Sequence, residues 1–140
     1  MDATEAQAAQ NASGLSCCSL HNALTQALQK ADAFTDFRML DANKDGAIDI
    51  ITFVHSGYAA EWGGANYKQR IWSHKWSLAN TFVSNENVTV SSYHISPAMW
   101  GTAGTSLGHI AVIAHELGHF IGGLPDLYDT DQNGSGLGSF

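Results

Sequence analysis

A helical pattern of apolar residues runs through residues 19–33, where such residues recur every three or four positions. This period places them on one face of an α-helix, so we predict a packing helix over this segment. The face consists of Leu20, Ala23, Leu24, Ala27, Leu28 and Ala31. The preceding residues 1–14 are rich in Ala, Gln, Ser and Asn and carry no such period. We therefore expect residues 1–19 to form a flexible, loosely helical N-terminal arm.

Two further segments carry the pattern of β-strands. Residues 50–54 form a short apolar run, which predicts a buried strand. Residues 88–90 alternate and predict a second strand, whose apolar face continues at Tyr93 and Ile95. The slip at Ser91-Ser92 between these two parts indicates a β-bulge. Pro97 is expected to end the strand.

The last pattern is again helical. Its apolar residues are Val112, Ile113, Ala114, Leu117, Phe120 and Ile121, which suit a buried helix. Ser106 is the predicted N-cap and Gly122-Gly123 the predicted stop. The order helix, strand, loop, strand, helix predicts an α+β fold in which a mixed sheet packs on this long last helix.

The last helix also carries His115, Glu116 and His119 as His-Glu-x-x-His. Two histidines four residues apart lie on one helical face, so both imidazoles can bind the same zinc ion. The glutamate can reach a water on that metal as a general base. The alternative is a purely structural pair of histidines. Burying these side chains in an apolar helix is costly without a partner, and this cost favours zinc binding.

Composition narrows the class of protein. The chain has 140 residues, of which 44% are hydrophobic and 14% charged, as expected for one globular domain. Its formal net charge of −7 argues against nucleic acid as a partner. We expect no membrane span, because the sequence holds no run of about eighteen apolar residues. The first five residues lack the basic and apolar regions of a signal peptide.

An acidic loop with Asp41, Asn43, Asp45 and Asp49 precedes the first predicted strand. Oxygen-bearing residues at alternate positions, followed by glycine, are typical of the start of a calcium-binding loop. The twelfth position of that pattern is Thr52 instead of glutamate, and a strand follows, so the loop is not an EF-hand. Two interpretations stay open: a weak calcium site, and a tight turn held by its own Asx side chains.

The segment at residues 71–76 places Trp72 and Trp76 four positions apart on either side of His74. The tryptophans fit either core packing or the wall of a cleft, and packing is the simpler expectation for all three residues. His55, at the end of the first predicted strand, is expected to be a hydrogen-bonded structural residue.

Together these segments resemble the immune inhibitor A-like family of secreted zinc metalloproteases. The most specific match is the metal helix continuing into Gly-Leu-Pro-Asp-Leu-Tyr-Asp at residues 123–129. Matching segments precede it, in the same order, at residues 41–49, 55–58 and 71–76. The resemblance covers residues 20–131 and implies part of a zincin-like catalytic domain, its upper subdomain. A flexible tail at residues 132–140 is expected to follow.

The family resemblance implies a zinc endopeptidase that is secreted, is made with accessory domains and acts on protein or peptide substrates. By motif position, His115 and His119 are zinc ligands, and Glu116 is the catalytic base. An extended substrate is then expected to pair with the strand at residues 88–95.

The resemblance also implies that Asp126 is the third zinc ligand. It lies one position later than in the family pattern, because an extra glycine occurs at Gly122-Gly123. Glycine can absorb such an insertion by bulging the turn. Asp129 and Asp131 are the alternative third ligands.

Two other functions stay open. Proteases of this type carry a methionine turn beneath the metal, and no methionine follows Met99. The rest of the cleft is therefore expected from a missing C-terminal subdomain, or the chain is a truncated zinc-binding remnant without activity. The second alternative is a calcium-binding structural domain centred on the acidic loop.

Overall fold

The computed structural model describes residues 3–16, 18–108 and 110–126. These residues form helices and a mixed sheet, as the predicted α+β class requires. The helices are α1 (Glu5–Ala9), α2 (Ser19–Asp32) and α3 (Ile110–Gly122), with short 3-10 turns at Phe37–Met39, Ala60–Trp62 and Tyr67–Gln69. The strands are β1 (Thr52–Tyr58), β2 (His74–Val83), β3 (Thr89–Trp100) and β4 (Ser106–Leu107). None of the helices in these ranges is long and apolar enough to cross a lipid bilayer.

Strand β3 is the central strand of the sheet. It pairs in parallel with β1 on one side and antiparallel with β2 on the other, and its end pairs with β4. The prediction that Pro97 ends this strand is wrong. A proline removes only one donor, and Met99 still pairs with Tyr58 of β1 and Leu107 of β4.

Strand β2 was not predicted, because only Leu78 and Phe82 of its ten residues are buried and no alternation marks it. Its pairing with β3 is irregular between Ser77↔Ser92 and Phe82↔Val90. This irregularity lies where the sequence predicts a slip at Ser91-Ser92. Because of this irregularity, Val90 and Tyr93, which are three positions apart, can both face the core, and both are fully buried.

Helix α2 confirms the first helical prediction. Its predicted face supplies four buried residues, Leu20, Ala23, Leu24 and Leu28. The three leucines pack in one core with Phe37 of a 3-10 turn and with Phe82, Tyr93 and Ile95 of the sheet. Each buried leucine contributes roughly 1.5–3 kcal/mol, so this face fixes α2 on the sheet.

Helix α1 lies in the segment for which the sequence predicts a loosely helical arm. Thr4 and Gln7 form a capping box, in which each side chain satisfies a backbone N–H of the first turn. Ala8 and Ala9 are buried, and the Ile71 N–H donates a 3.2 Å hydrogen bond to Glu5 Oε1. These contacts tie α1 to the rest of the domain.

The burial of His55 and His94 determines part of the pH dependence of the free energy of unfolding. Burial lowers the pKa of His55 and of His94 from 6.5 to about 4. Between these values the unfolded chain binds protons that the native state excludes, so stability falls as the pH falls from 6.5 to 4. The loss is up to about 3 kcal/mol for each histidine. Burial raises the pKa of Glu5 and offsets part of this loss.

The expected result is a lower melting temperature at pH 4.5 than at pH 7, measured by circular dichroism in EDTA. His55→Leu should reduce this difference, because the His55 ring is buried with neither nitrogen hydrogen-bonded within the described residues. An equal pH dependence in the two proteins would contradict the assignment of the effect to His55.

Candidate metal centre

Helix α3 packs against β2 and β3 and carries the metal-ligating motif. It begins at Ile110, so the prediction of Ser106 as its N-cap is wrong; Ser106 lies in β4. None of the described α3 residues is buried, and Ile110 and Ile121 are 78% and 74% exposed. The prediction of a buried helix is therefore wrong as well, because no other described element covers its outer face.

The two motif histidines converge. His115 and His119 lie one helical turn apart, and their Nε2 atoms are 3.2 Å from each other. The two rings stand nearly perpendicular, at 86°, with centroids 4.7 Å apart. The i, i+4 spacing produces this meeting, since both side chains rise from the same face of α3.

Asp126 closes a triangle with the two histidines. Its Oδ1 lies 3.0 Å from His115 Nε2 and 3.2 Å from His119 Nε2. Gly123 ends the helix with φ +57°, as the predicted stop requires, and this left-handed turn directs the chain back along α3. A Cβ at Gly122 would lie 2.9 Å from Leu124 Cγ, so a larger residue there would require the Leu124 side chain to shift.

The Leu124 carbonyl orients His119. It lies 2.5 Å from His119 Nδ1, and a carbonyl only accepts, so Nδ1 carries the proton and donates. The lone pair of the neutral ring is then on Nε2, which faces His115 and Asp126. This hydrogen bond is also the main reason why the pKa of His119 is raised.

Glu116 lies beside this triangle. Its carboxylate, His115 and His119 offer ligand atoms within 4.8 Å of one another. Burial raises its pKa, and the two neighbouring histidines act against that effect. The Lys75 backbone N–H also lowers the Glu116 pKa, which shows that the start of β2 reaches the carboxylate.

The geometry fits zinc. Ligands about 2.0–2.1 Å from a tetrahedral zinc ion lie about 3.3 Å from one another. The separations between the three facing atoms are 3.0, 3.2 and 3.2 Å. Two imidazoles and one carboxylate are also a donor set that catalytic zinc sites use. Asp129 and Asp131, the alternative third ligands, lie outside the described residues.

The side chains of the acidic loop hold its backbone in a tight turn. Asp41 accepts hydrogen bonds from the Asp45 and Gly46 N–H groups, at 3.2 and 2.9 Å. Asn43 and Asp45 likewise accept backbone hydrogen bonds from within the loop. Among the residues that the structure describes, these acidic side chains form no cluster suited to a metal. Of the two interpretations left open, this arrangement favours the turn.

Asp41→Ala should therefore destabilise the protein by about 1–3 kcal/mol, because two backbone N–H groups lose their acceptor. The matched control is Asp49→Ala, at an exposed position of the same segment, where we expect a change within about 0.5 kcal/mol. Urea unfolding measures both. Added calcium should leave the melting temperature of the parent protein unchanged, and a calcium-dependent increase that Asp41→Ala abolishes would contradict the turn.

The simpler expectation, that the tryptophans of the segment 71–76 pack in the core, is wrong. Trp72 is 40% exposed and Trp76 is 62% exposed, and both line the cleft that contains Glu116, His119 and Asp126. The cleft-wall alternative agrees with this position.

The predicted pairing of substrate with the strand at residues 88–95 is also contradicted. Residues 89–95 lie in β3, which pairs with β2 on one side; its other side pairs with β1 from His94 onward and bonds to residues 46–48 at Thr89. Strand β2 reaches Glu116 through Lys75 and forms an outer strand of the described sheet. Sequence reasoning missed it, because its burial pattern is not that of a half-buried strand.

The catalytic-domain model of the immune inhibitor A peptidase M6 family matches residues 18–139. This chain belongs to that peptidase family. Family membership confirms the resemblance drawn from the motif order and the zincin-like α+β class. The immune inhibitor A of Bacillus thuringiensis subsp. alesti is 33% identical over 119 residues. That match covers 74% of this chain and 16% of the relative's length.

Proposed function

We propose that this M6-family chain carries the active site of a zinc endopeptidase. The observation that carries the proposal is the triangle of His115 Nε2, His119 Nε2 and Asp126 Oδ1, with edges of 3.0–3.2 Å, beside the Glu116 carboxylate. The three facing residues would hold the ion. Zinc bound there would supply a water of lowered pKa and polarise the peptide carbonyl.

Glu116 is the proposed general base. It accepts a proton from the attacking water and returns it to the leaving nitrogen when the C–N bond breaks. Partial burial suits this role, because it raises the pKa of the carboxylate toward the range in which a proton is both taken up and released. Leu124 keeps the His119 ring in place, and Asp126 would offset part of the charge of a bound zinc ion.

The remainder of the cleft is proposed to come from sequence beyond this region. The chain spans only 16% of the length of the curated relative. The outer face of α3 exposes Ile110 and Ile121, and Leu124 after it is 61% exposed. A C-terminal subdomain packed on these residues would bury them. Secretion, accessory domains and protein substrates are proposed on the same family resemblance.

A zinc-binding remnant without activity is the second candidate. The exposed outer face of α3 favours it for the chain as it stands, since water has free access to His115, whose side chain is 47% exposed. Access of bulk water weakens the electrostatic stabilisation of a transition state.

One experiment separates the two candidates. Zinc content and casein cleavage are measured on this chain and on the same protein extended through the complete catalytic domain. The endopeptidase proposal expects about one zinc per chain in both and cleavage by the extended protein. Zinc without cleavage in both would favour the remnant, and absence of zinc in both would contradict both candidates.

A further inference from the structure

The cleft around the proposed metal centre has a polar floor and an apolar rim. Glu116, His119 and Asp126 form the floor. The apolar side chains of the rim are Leu15, Trp72, Trp76 and Leu124, which are 60%, 40%, 62% and 61% exposed, and Ser73, His74 and Lys75 also line the cleft. The cleft measures about 480 Å³. A space of this size accommodates several side chains of an extended peptide.

The two tryptophans project from a segment that is held firmly. The Trp72 N–H donates to the Ser13 carbonyl at 3.0 Å, and His74 Nδ1 donates to the Trp72 carbonyl at 2.7 Å. His74 Nε2 then accepts from the Tyr93 hydroxyl at 2.9 Å, and Tyr93 is fully buried in the core. The indoles are thus exposed at a strand end whose backbone is held in place by these hydrogen bonds.

A second anchor acts between the two tryptophans. Glu61 accepts hydrogen bonds from the Ser73 N–H at 3.2 Å and from Ser73 Oγ at 2.5 Å. Residues 72–74 are therefore held on both sides, and the backbone at Trp72 has little conformational entropy left to lose when a ligand packs on its indole. Rigid aromatic side chains of this kind are efficient contact surfaces.

We propose that Trp72 and Trp76 are the specificity-determining wall of the cleft and select peptides with a bulky apolar side chain beside the cleaved bond. The inference rests on the proposed peptidase function and names its substrate class. An apolar side chain loses contact with water against the indoles and leaves none of its own groups unpaired. An acidic side chain packed against the indoles would lose contact with water without gaining a hydrogen bond from their ring faces.

The test uses two fluorescent peptides that differ in one residue, leucine in one and aspartate in the other. Their binding to the zinc-loaded protein is measured by anisotropy in a Glu116→Gln background, so that no peptide is cleaved. Cleavage of the same peptides is measured with Glu116 present, in the protein extended through the complete catalytic domain. The variants are Trp72→Ala, Trp76→Ala and the conservative Trp76→Phe.

The matched control is Trp62→Ala. Trp62 is 43% exposed, close to the value for Trp72, but it packs edge-on against Trp100 with ring centroids 4.7 Å apart. It lines a different pocket, between Ala60–Trp62 and α3. Trp62→Ala therefore removes a side chain of the same type and leaves Trp72 and Trp76 unchanged.

The expected result is a preference for the leucine peptide that falls roughly tenfold in each alanine variant, as the loss of one buried apolar contact predicts. Trp76→Phe and Trp62→Ala should keep the preference. An unchanged preference in both alanine variants, with peptides still bound and cleaved, would overturn the inference alone. Failure of the protein extended through the complete catalytic domain to bind or cleave either peptide would overturn the proposed function as well. If an alanine variant does not fold, Trp76→Lys decides, because it should shift the preference toward the aspartate peptide.

Discussion

Glu116→Gln removes peptide hydrolysis while zinc stays bound: this is the largest effect that we expect. Glutamine keeps the size of the side chain but accepts no proton, whereas His115, His119 and Asp126 keep their positions. Loss of a general base typically lowers the rate by 10²–10⁴-fold, so we expect a fall in kcat of about 10³-fold. Cleavage of a fluorogenic peptide gives the rate, and atomic absorption gives the zinc content.

The matched control for this prediction is Glu86→Gln, which makes the same chemical change far from the metal centre. Glu86 accepts a hydrogen bond from the Phe37 N–H on the opposite part of the fold. The control should cleave at the parental rate. Loss of zinc from Glu116→Gln, or retention of full activity, would show that Glu116 is not the base beside the metal.

Asp126→Ala is expected to weaken zinc binding by more than roughly a hundredfold, because even the groups that support a ligand change affinity by 10–100-fold. The physical reason is the loss of one side of the triangle and of the only carboxylate within 3.2 Å of both Nε2 atoms among the described residues. Competition with a chromophoric chelator measures the affinity.

Asp129→Ala and Asp131→Ala are the controls for the third ligand, since both positions are alternatives in the sequence. They should bind zinc as the parent protein does. A loss of affinity in either control that exceeds the loss in Asp126→Ala would assign the third ligand to that position instead.

Local sequence signals predict the parts of the fold that depend on one element. The apolar period of α2 and the His-Glu-x-x-His spacing of α3 are complete within single helices, and both helices occur where the patterns place them. The capping box of α1 was also present, as Thr4 followed three positions later by Gln7. Attention to that signal would have predicted this short helix.

Tertiary contacts decide the rest. β2 is a strand because it pairs with β3 and because His74 at its start hydrogen-bonds to Tyr93. Neither contact can be predicted from the order of apolar and polar residues in β2. Asp126 reaches the histidines through a glycine turn whose shape no periodicity encodes. The resemblance to a family was the signal that pointed to it. Large aromatic residues are usually buried, so the exposure of Trp72 and Trp76 could not be predicted from the sequence.

The most direct test of the metal centre is a crystal structure of the zinc-loaded protein with anomalous data collected at the zinc edge. We predict one zinc peak within about 2.2 Å of His115 Nε2, His119 Nε2 and one Asp126 carboxylate oxygen, with Glu116 beside it and not bound. A zinc ion held by other residues, with the two imidazoles turned apart, would contradict the account.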